Sequence, residues 1–223
     1  MARDTLERNQ IVRAAIDLLD EKGLDGLTMR SLGKRLGSAA TAVYWHVGSK
    51  ENLVKLAGDR VWSEIDLPDL TTVTWRVAAR AMAGDLHAML VRHLWLVQAF
   101  GSYVIYGPAK ARYDDHSLAL YEMAGLDAAQ ADQAAAAVLI FVLGDALGHA
   151  AAVSYERKLR LDDGNTKRAM DDSMADAREI AAQFPRLRAR MASPAADYAT
   201  APHDSFSFGL EAILDGVDAR RRC

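Results

Sequence analysis

The chain has little of what a disulfide-bonded or cysteine-ligated protein needs. Its one cysteine, Cys223, is the last of 223 residues, which excludes an internal disulfide and a metal cluster made of cysteines. Proline and glycine are also few, at 5 and 15 residues, while alanine is used heavily, and this balance favours helix. The hydrophobic fraction of 51% predicts a folded chain, and the net charge of −3 gives no global sign of nucleic-acid binding.

A secretory signal and a clear membrane span are also missing. The first ten residues, MARDTLERNQ, are charged and no apolar signal region follows them, so a soluble cytoplasmic protein without a membrane partner is expected. The stretch from Ala134 to Val153 is long enough to cross a bilayer, but Asp145 and His149 lie within it. Because ionisable residues are costly inside a membrane, this stretch is predicted to be a buried helix of a soluble bundle.

The local motifs of common enzyme classes are absent from the sequence. There is no HExxH pair, no glycine-rich phosphate loop and no GxSxG elbow. His87 and His93 are six residues apart, so they do not share a helical face and form no local metal motif. The prediction is therefore no catalytic residue, no metal and no cofactor. Two alternatives stay open: a metal site assembled from distant residues and, more remotely, a helical enzyme with a dispersed site.

Apolar residues recur at helical spacing along almost the whole chain, with no convincing strand. Four helices are predicted before Pro68, the second of them N-capped by Thr28 and closed at Gly37. Further helices follow, including a long alanine-rich one, a single one in the polar stretch before residue 204, and a last amphipathic one. The pattern predicts an all-α protein with an N-terminal domain over 1–66 and a C-terminal helical bundle over 67–223.

Charge is unevenly distributed around the two short helices that meet at Gly37. The window from Gly26 to Lys50 contains four lysines and arginines but no acidic residue, whereas the segment from Asp4 to Asp25 contains six acids. Two short helices joined at a glycine and braced by a longer first helix are typical of a helix-turn-helix. A local basic face on such a unit indicates DNA binding, with an ordinary solvated basic helix as the alternative.

The stretch GLDGLTMRSLGKRLGSAATAVYWHVGSKENLV resembles the DNA-binding region of the tetracycline-repressor (TetR) family, and the match covers about the first 65 residues. Looser matches such as HLWLVQ and FVLGDAL resemble the ligand-binding half of its tetracycline-repressor-like branch. The resemblance implies a homodimeric repressor that binds an inverted-repeat operator in double-stranded DNA and is released by an unknown small apolar or amphipathic effector. An activator, or a regulator of the same fold controlled by a protein partner, is the alternative.

The resemblance also assigns roles to individual residues of the DNA-binding domain. Arg30 matches a position that reaches a base edge, and its forked donors suit the two acceptors of guanine. The leading face of the recognition helix is built from small residues, which implies few base contacts plus recognition of DNA shape. Trp45 is expected to pack in the core, with a DNA contact as the alternative. The predicted DNA-contacting residues are Thr28, Arg30, Ala40, Thr41, Ala42, Tyr44, His46 and Lys50.

The C-terminal half carries aromatic rings with scattered polar groups, which suit an apolar ligand fixed by a few hydrogen bonds. Asp145 and His149 lie one helical turn apart and could pair. For each residue, plain packing in the core or on the surface is the alternative. The predicted ligand-binding residues are His87, Trp95, Phe100, Tyr103, Tyr106, Tyr113, Met123, Phe141, Asp145 and His149.

Small residues at a spacing of four on the long helix allow a second helix to approach closely. The resemblance implies dimerisation through this helix and the last one. The predicted dimer residues are Gly144, Gly148, Ala152, Phe206, Leu210, Ile213, Leu214 and Val217. The alternative is that both faces only close the core of one chain.

Overall fold

The structure, a computed structural model, describes residues 7–161, 165–191 and 201–221. Most of these residues lie in helices. No strand occurs in these ranges, which confirms the predicted all-α fold. The helices are α1 (Arg8–Gly26), α2 (Met29–Arg35), α3 (Ala40–Val47), α4 (Lys50–Trp62), α5 (Trp75–Arg92), α6 (Leu94–Ala99), α7 (Pro108–Met123), α8 (Ala128–Leu161), α9 (Asn165–Ala182), α10 (Pro185–Met191) and α11 (Ala201–Arg220).

The turn between α2 and α3 depends on two glycines. Gly37 has a φ of 62°, in the left-handed region that favours glycine. At Gly33, an added Cβ would lie 2.7 Å from the carbonyl oxygen of Ser38, so the chain folds back too closely for a side chain. Thr28 caps α2 as predicted, because its Oγ1 accepts a hydrogen bond of 3.0 Å from the backbone N–H of Ser31. These features hold α2 and α3 as a helix-turn-helix.

Helix α1 braces this unit from the other side. Ile11 and Leu19 of α1 are fully buried together with Leu32 of α2 and Val43 of α3. Gly23 has a φ of 68° and bends α1 before its last turn. After this kink, one more helical turn leads to α2.

Helix α4 connects the three N-terminal helices to the rest of the chain. Ser49 caps it, with Oγ accepting a hydrogen bond of 3.1 Å from the N–H of Asn52. The helix packs against α1 and against α7. At Gly58, an added Cβ would lie 2.5 Å from Cγ2 of Ile105, so α4 also fits tightly against the connection between α6 and α7.

Helix α8 is the scaffold of the C-terminal half and contacts α5, α6, α7 and α11. Ala131, Val142 and Ala146 are fully buried on its inner side. The small alanine side chains let the neighbouring helices approach closely. With 34 residues, from Ala128 to Leu161, it is the long alanine-rich helix that the sequence predicts.

The polar stretch after α8 differs from the prediction of a single helix, because it contains both α9 and α10. Pro185 is the first residue of α10. Proline has no N–H to continue the hydrogen bonding of a preceding helix, yet it is well suited to a helix start. The described side chains of both helices are mostly exposed, so this pair adds little to the core.

Helix α11 is fixed to α5 by a network of ion pairs. Arg76 contacts Glu211 at 2.6 Å, Asp215 at 2.5 Å and Asp218 at 2.9 Å. Arg80 adds a second contact to Glu211 at 2.5 Å. Hydrogen bonds from Arg80 and Arg76 lower the pKa of Glu211 to about 2, because both stabilise its ionised form.

Candidate DNA-binding surface and effector region

The recognition helix α3 is held by its apolar side and leaves its other side to solvent. Val43 and Val47 are buried. Thr41 is exposed, and Tyr44 keeps 49% of its surface exposed. The predicted contacts Ala40, Ala42 and His46 are half-buried. The helix therefore presents small side chains beside the exposed ring of Tyr44, a shape that fits a DNA groove.

Trp45 contradicts the prediction that it packs in the core. Its side chain is 84% exposed, and its ring meets only the edge of His46, with ring centroids 5.0 Å apart. In an eight-residue helix, Val43 and Val47 define the buried face, and the position two residues from each of them points away from it. In the sequence, the spacing of four between Val43 and Val47 was the signal that could have placed Trp45 on the exposed side of the helix.

The predicted cations differ in how free they are. Arg30 and Lys34 are exposed. Arg35 instead makes a bidentate contact with Glu21, with bonds of 2.9 and 2.7 Å, and this hydrogen bonding lowers the pKa of the Glu21 carboxyl. The basic footprint is therefore smaller than a count of charges along the sequence implies.

Lys50 also has a partner within the chain. Its Nζ donates a hydrogen bond of 2.8 Å to the carbonyl oxygen of Leu24, which joins the start of α4 to the end of α1. An ammonium group has three N–H donors, so this bond leaves two for another acceptor. Thr28, at the exposed start of α2, uses its hydroxyl in the cap. Its predicted phosphate contact would therefore add to an existing hydrogen bond.

Part of the predicted effector site is brought together between α5, α8 and α11. His87 Nε2 lies 2.8 Å from Asp145 Oδ2, and His149 Nε2 lies 4.0 Å from the same oxygen. The ring centroid of Phe206 is 4.3 Å from that of His87 and 5.7 Å from that of Phe141. Asp145 thus contacts His87 more closely than the neighbour on its own helix, with which the sequence predicted a pair.

The other predicted pocket residues do not join this cluster. Trp95 is buried and donates a hydrogen bond of 2.8 Å to Asp20 in α1. Tyr113 is buried against Trp62, with ring centroids 4.9 Å apart. Phe100 and Tyr103 are half-buried on the core, whereas Tyr106 and Met123 are exposed. Sequence reasoning grouped these residues by chemistry, but the helical register points their side chains in different directions.

Two cavities lie next to predicted pocket residues. The larger, of about 160 Å³, lies where α1, α6 and α8 meet and includes Trp95. The smaller, of about 10 Å³, is beside Tyr113. Sites for drug-sized ligands usually have about 300–1,000 Å³, so neither holds such a ligand without movement of the surrounding helices.

The predicted dimer residues divide into two groups. Gly144 and Gly148 are exposed on α8 with open space around them, beside the exposed side chains of Ile140 and Leu147. The side chain of Ala152 lies outside the described residues. On α11, Leu210, Leu214 and Val217 are buried within the chain, and Phe206 and Ile213 are half-buried.

The three buried residues of α11 therefore correct the predicted dimer face. They are buried because α11 turns its apolar stripe toward α8 and α5. Phe208, which the sequence analysis did not select, is 79% exposed on the same helix. The exposed apolar residues of α8 and α11 thus include Ile140 and Leu147, beside the glycine stripe of α8, and Phe208 of α11.

A buried histidine joins the DNA-binding domain to the bundle. His93, between α5 and α6, is 3% exposed. Its Nδ1 lies 2.8 Å from Asp20 of α1, and its Nε2 lies 3.2 Å from Glu64, just after α4. Burial lowers the pKa of His93, but the hydrogen bonds and charges of Asp20 and Glu64 outweigh it, so the pKa is raised. The sequence analysis considered His93 only as a possible metal ligand with His87, and it did not predict the contacts of His93 with α1 and Glu64.

Comparison with known proteins decides what kind of protein carries this surface. Residues 11–57 match the family model described as bacterial regulatory proteins, tetR family, and residues 67–221 match the tetracyclin repressor-like C-terminal domain. The chain belongs to the tetR family. Proteins of this family are DNA-binding transcriptional regulators, so the tetR-family chain is a transcriptional regulator and not an enzyme.

Individual relatives span nearly the whole tetR-family chain. The HTH-type transcriptional repressor DrrR1 of Streptomyces coeruleorubidus is 33% identical, over 99% of this chain and 81% of the repressor. An HTH-type transcriptional regulator of Saccharopolyspora erythraea is 31% identical, over 96% and 85%. The structure of apo ActR from Streptomyces coelicolor has a TM-score of 0.75 and 25% identity, covering 99% and 98% of the two chains. ActR has also been solved in complex with (S)-DNPA and with actinorhodin.

The family membership also explains why this tetR-family chain contains a helix, α8, that is long and apolar enough to resemble a membrane span. Residues Ala128–Ala151 are long and apolar enough to cross a membrane, and 28% of an 18-residue window within them is buried inside the chain. The match to the C-terminal domain includes all of it, and Asp145 within it contacts His87. It is therefore a helix of the tetR C-terminal domain, though more of it is exposed than the predicted buried helix implied.

Proposed function

We propose that this tetR-family regulator is a cytoplasmic repressor that binds an inverted repeat in duplex DNA as a homodimer. The observation that carries the proposal is the outward face of α3, where Thr41, Tyr44 and Trp45 are exposed and no acidic side chain occurs between Gly26 and Lys50. A surface of this shape and charge fits the major groove and the phosphates beside it.

The proposed roles divide into positioning and sequence reading. Lys50 and Tyr44 flank the helix and would contact phosphates, which sets register without reading sequence. Arg30 and Thr41 are both exposed and would contact base edges. Because the helix offers few long donors, DNA shape would supply much of the remaining specificity.

The proposed dimer is supported by the apolar surface left open on α8 and α11. Ile140, Leu147 and Phe208 are 68%, 56% and 79% exposed. Gly144 and Gly148 lie on the same helix as Ile140 and Leu147, and a Cβ added at either glycine would have no neighbour within 4 Å. A second copy could therefore pack its own α8 closely against this stripe, since small residues let helix backbones approach. A twofold pair of chains would place two recognition helices on the two halves of an inverted repeat.

The dimer is tested by sedimentation of the full chain. Gly148→Glu adds a charge to the centre of the apolar surface, at a position with open space around it, and we expect it to shift the protein to monomers. Ala119→Glu, at an exposed position on α7, is the matched control and should stay dimeric. A wild-type chain that sediments as a monomer at micromolar concentration would rule out the dimer.

The proposed control by an effector is supported by how α4 is held. Asp59 Oδ1 accepts hydrogen bonds of 3.0 Å from the backbone N–H groups of Ala109 and Lys110, so a side chain of α4 caps the first turn of α7. Gly58 packs against Ile105 just before that turn. A shift of α7 or of its preceding connection would therefore move α4 and, through Lys50 and Leu24, the DNA-binding domain.

Such a shift is expected because an effector needs more room than the cavities described here supply. Opening the helices around Phe141 and Phe206 would create an apolar site, and ligands bound to the relative ActR support a small apolar or amphipathic effector. The effector must bind the DNA-incompetent arrangement more tightly, and operator DNA must weaken effector binding by the same factor. A compound that binds tightly without changing operator affinity would contradict this mechanism.

Repression rather than activation is supported by the repressor DrrR1 among the relatives. A reporter gene placed behind the selected operator distinguishes the two. We expect expression of the reporter to fall when the regulator is produced. A rise in expression would support the activator instead and leave the DNA-binding proposal intact.

A further inference from the structure

Three side chains of the type that bind metal ions meet between α5 and α8. His87 comes from α5, and Asp145 and His149 come from successive turns of α8. His87 Nε2 lies 2.8 Å and His149 Nε2 lies 4.0 Å from Asp145 Oδ2. One ligand atom from each of the three residues lies within 4.8 Å of the others. The sequence analysis placed all three among the predicted ligand-binding residues but did not group them as a metal site, because His87 lies 62 positions before His149.

We propose that His87, Asp145 and His149 bind a divalent transition-metal ion of the zinc class. Nitrogen and oxygen ligands lie about 2.0–2.2 Å from zinc, so two ligands in a tetrahedral site are about 3.4 Å from each other. The observed distances of 2.8 and 4.0 Å lie on either side of that value. Binding an ion would require the two imidazole rings to rotate so that all three atoms come to bonding distance.

The donor set decides which ions fit. Two imidazoles and one carboxylate suit zinc, cobalt, nickel and other late divalent metals, whereas magnesium and calcium prefer oxygen ligands only. Three protein ligands leave a fourth position for water or for a donor atom of another molecule. The side chains of His87, Asp145 and His149 are 19%, 11% and 25% exposed, so the site is shielded but remains open to small molecules.

The surroundings would strengthen the binding of the ion. The ring of Phe206 covers His87 at a centroid distance of 4.3 Å and stacks on Phe141 at 5.7 Å. An apolar wall beside a metal site limits water access and lowers the local dielectric. The ion would join α5 to α8 directly, at the side of the bundle that α11 covers.

A hydrogen-bonded pair of His87 and Asp145 is the simpler interpretation of the short contact. That pair uses one histidine, whereas the structure brings a second imidazole to the same carboxylate, with ring centroids 5.7 Å apart. The two interpretations differ in a measurable way. A hydrogen-bonded pair has no affinity for zinc, whereas the metal site loses its affinity when any of the three ligands is replaced.

The test is titration of the full chain, without an affinity tag, with Co²⁺ and then with Zn²⁺. We expect one Co²⁺ per chain, with the visible absorption of a four- or five-coordinate ion, and displacement of that ion by Zn²⁺. Asp145→Asn and His149→Gln should each weaken Zn²⁺ binding by at least about 100-fold. His116→Gln is the matched control, since His116 lies on α7 and contacts the carbonyl oxygen of Pro68 at 2.9 Å, and its Zn²⁺ affinity should equal that of wild type.

Asn at position 145 retains an oxygen that accepts a hydrogen bond from His87, so Asp145→Asn is expected to fold, and circular dichroism checks that it does. Zn²⁺ should raise the melting temperature of wild type and His116→Gln but not that of Asp145→Asn. The proposal is overturned if wild type binds no ion, or if the cluster variants bind Zn²⁺ as tightly as wild type. Neither result bears on DNA binding, because no DNA enters the assay.

Discussion

The exposure of Trp45 leads to a prediction that separates folding from DNA binding. At 84% exposed, the indole packs on almost nothing inside the chain. Trp45→Ala should therefore change the free energy of unfolding by no more than about 0.5 kcal/mol, as is usual for surface substitutions. On DNA the same ring would lie beside the sugar-phosphate backbone and become buried.

The expected loss of binding follows from the size of that ring. A truncated aromatic contact in an interface costs roughly 1–3 kcal/mol, or about 5- to 150-fold in affinity per half-site. Fluorescence anisotropy of a labelled operator gives the affinity, and thermal melting gives the stability. Trp45→Phe should lose less, because part of the aromatic surface remains.

Trp62→Phe is the matched control for this prediction, since Trp62 is 1% exposed and lies in α4. We expect it to lower the melting temperature while leaving the operator affinity of the folded protein near that of wild type. The reasoning is refuted if Trp45→Ala destabilises the fold as much as a core substitution does. It is also refuted if Trp45→Ala binds the operator as tightly as wild type does.

Three other predictions concern charged groups. Lys50→Ala should weaken binding to operator and random DNA about equally, whereas Arg30→Ala should relax preference at particular base pairs by roughly 1–3 kcal/mol. Competition binding with operator variants measures both effects, and a change of sequence preference in Lys50→Ala but not in Arg30→Ala would contradict these roles. His93→Gln should lower the free energy of unfolding most below pH 6.5, the ordinary pKa of histidine. The raised pKa of His93 stabilises the fold there, and this contribution is lost as pH rises through the folded-state pKa. Chemical denaturation at several pH values measures the effect, and a larger loss at high pH would contradict the prediction. Glu211→Gln should lower the free energy of unfolding by no more than about 1 kcal/mol, since that side chain is 37% exposed. This loss should disappear as pH falls from 4.5 through about 2, where the carboxylate of the wild type becomes protonated. A loss that persists in acid would indicate a packing effect instead of an ion pair.

The sequence predicted the parts of the fold that depend on neighbouring residues. Thr28 caps α2 and Gly37 takes a left-handed conformation, because caps and turns are determined within a few positions of the chain. The helix-turn-helix followed from these local features and from the resemblance to the TetR family. Family comparison then confirmed both the fold and the class of function.

The features that the sequence missed depend on which side of a helix meets another helix. Leu214 has the same chemistry as an interface residue, but the register of α11 buries it in the chain's own core. Arg35 counts as a free cation in the sequence, yet Glu21 lies 14 positions away and pairs with it. His93 and Trp95 converge on Asp20 only because α1 packs against α6. The chemical type of each residue does not predict how close it lies to residues far away in the sequence.

The central claim is that two recognition helices of one dimer read an inverted repeat. Its most direct test is selection of genomic fragments by the purified full-length protein at moderate salt, followed by sequencing of the fragments retained. The proposed function predicts one enriched motif with twofold symmetry and half-site centres about one DNA turn, or roughly 34–36 Å, apart. Recovery of no enriched sequence, or of a motif without that symmetry, would contradict the claim.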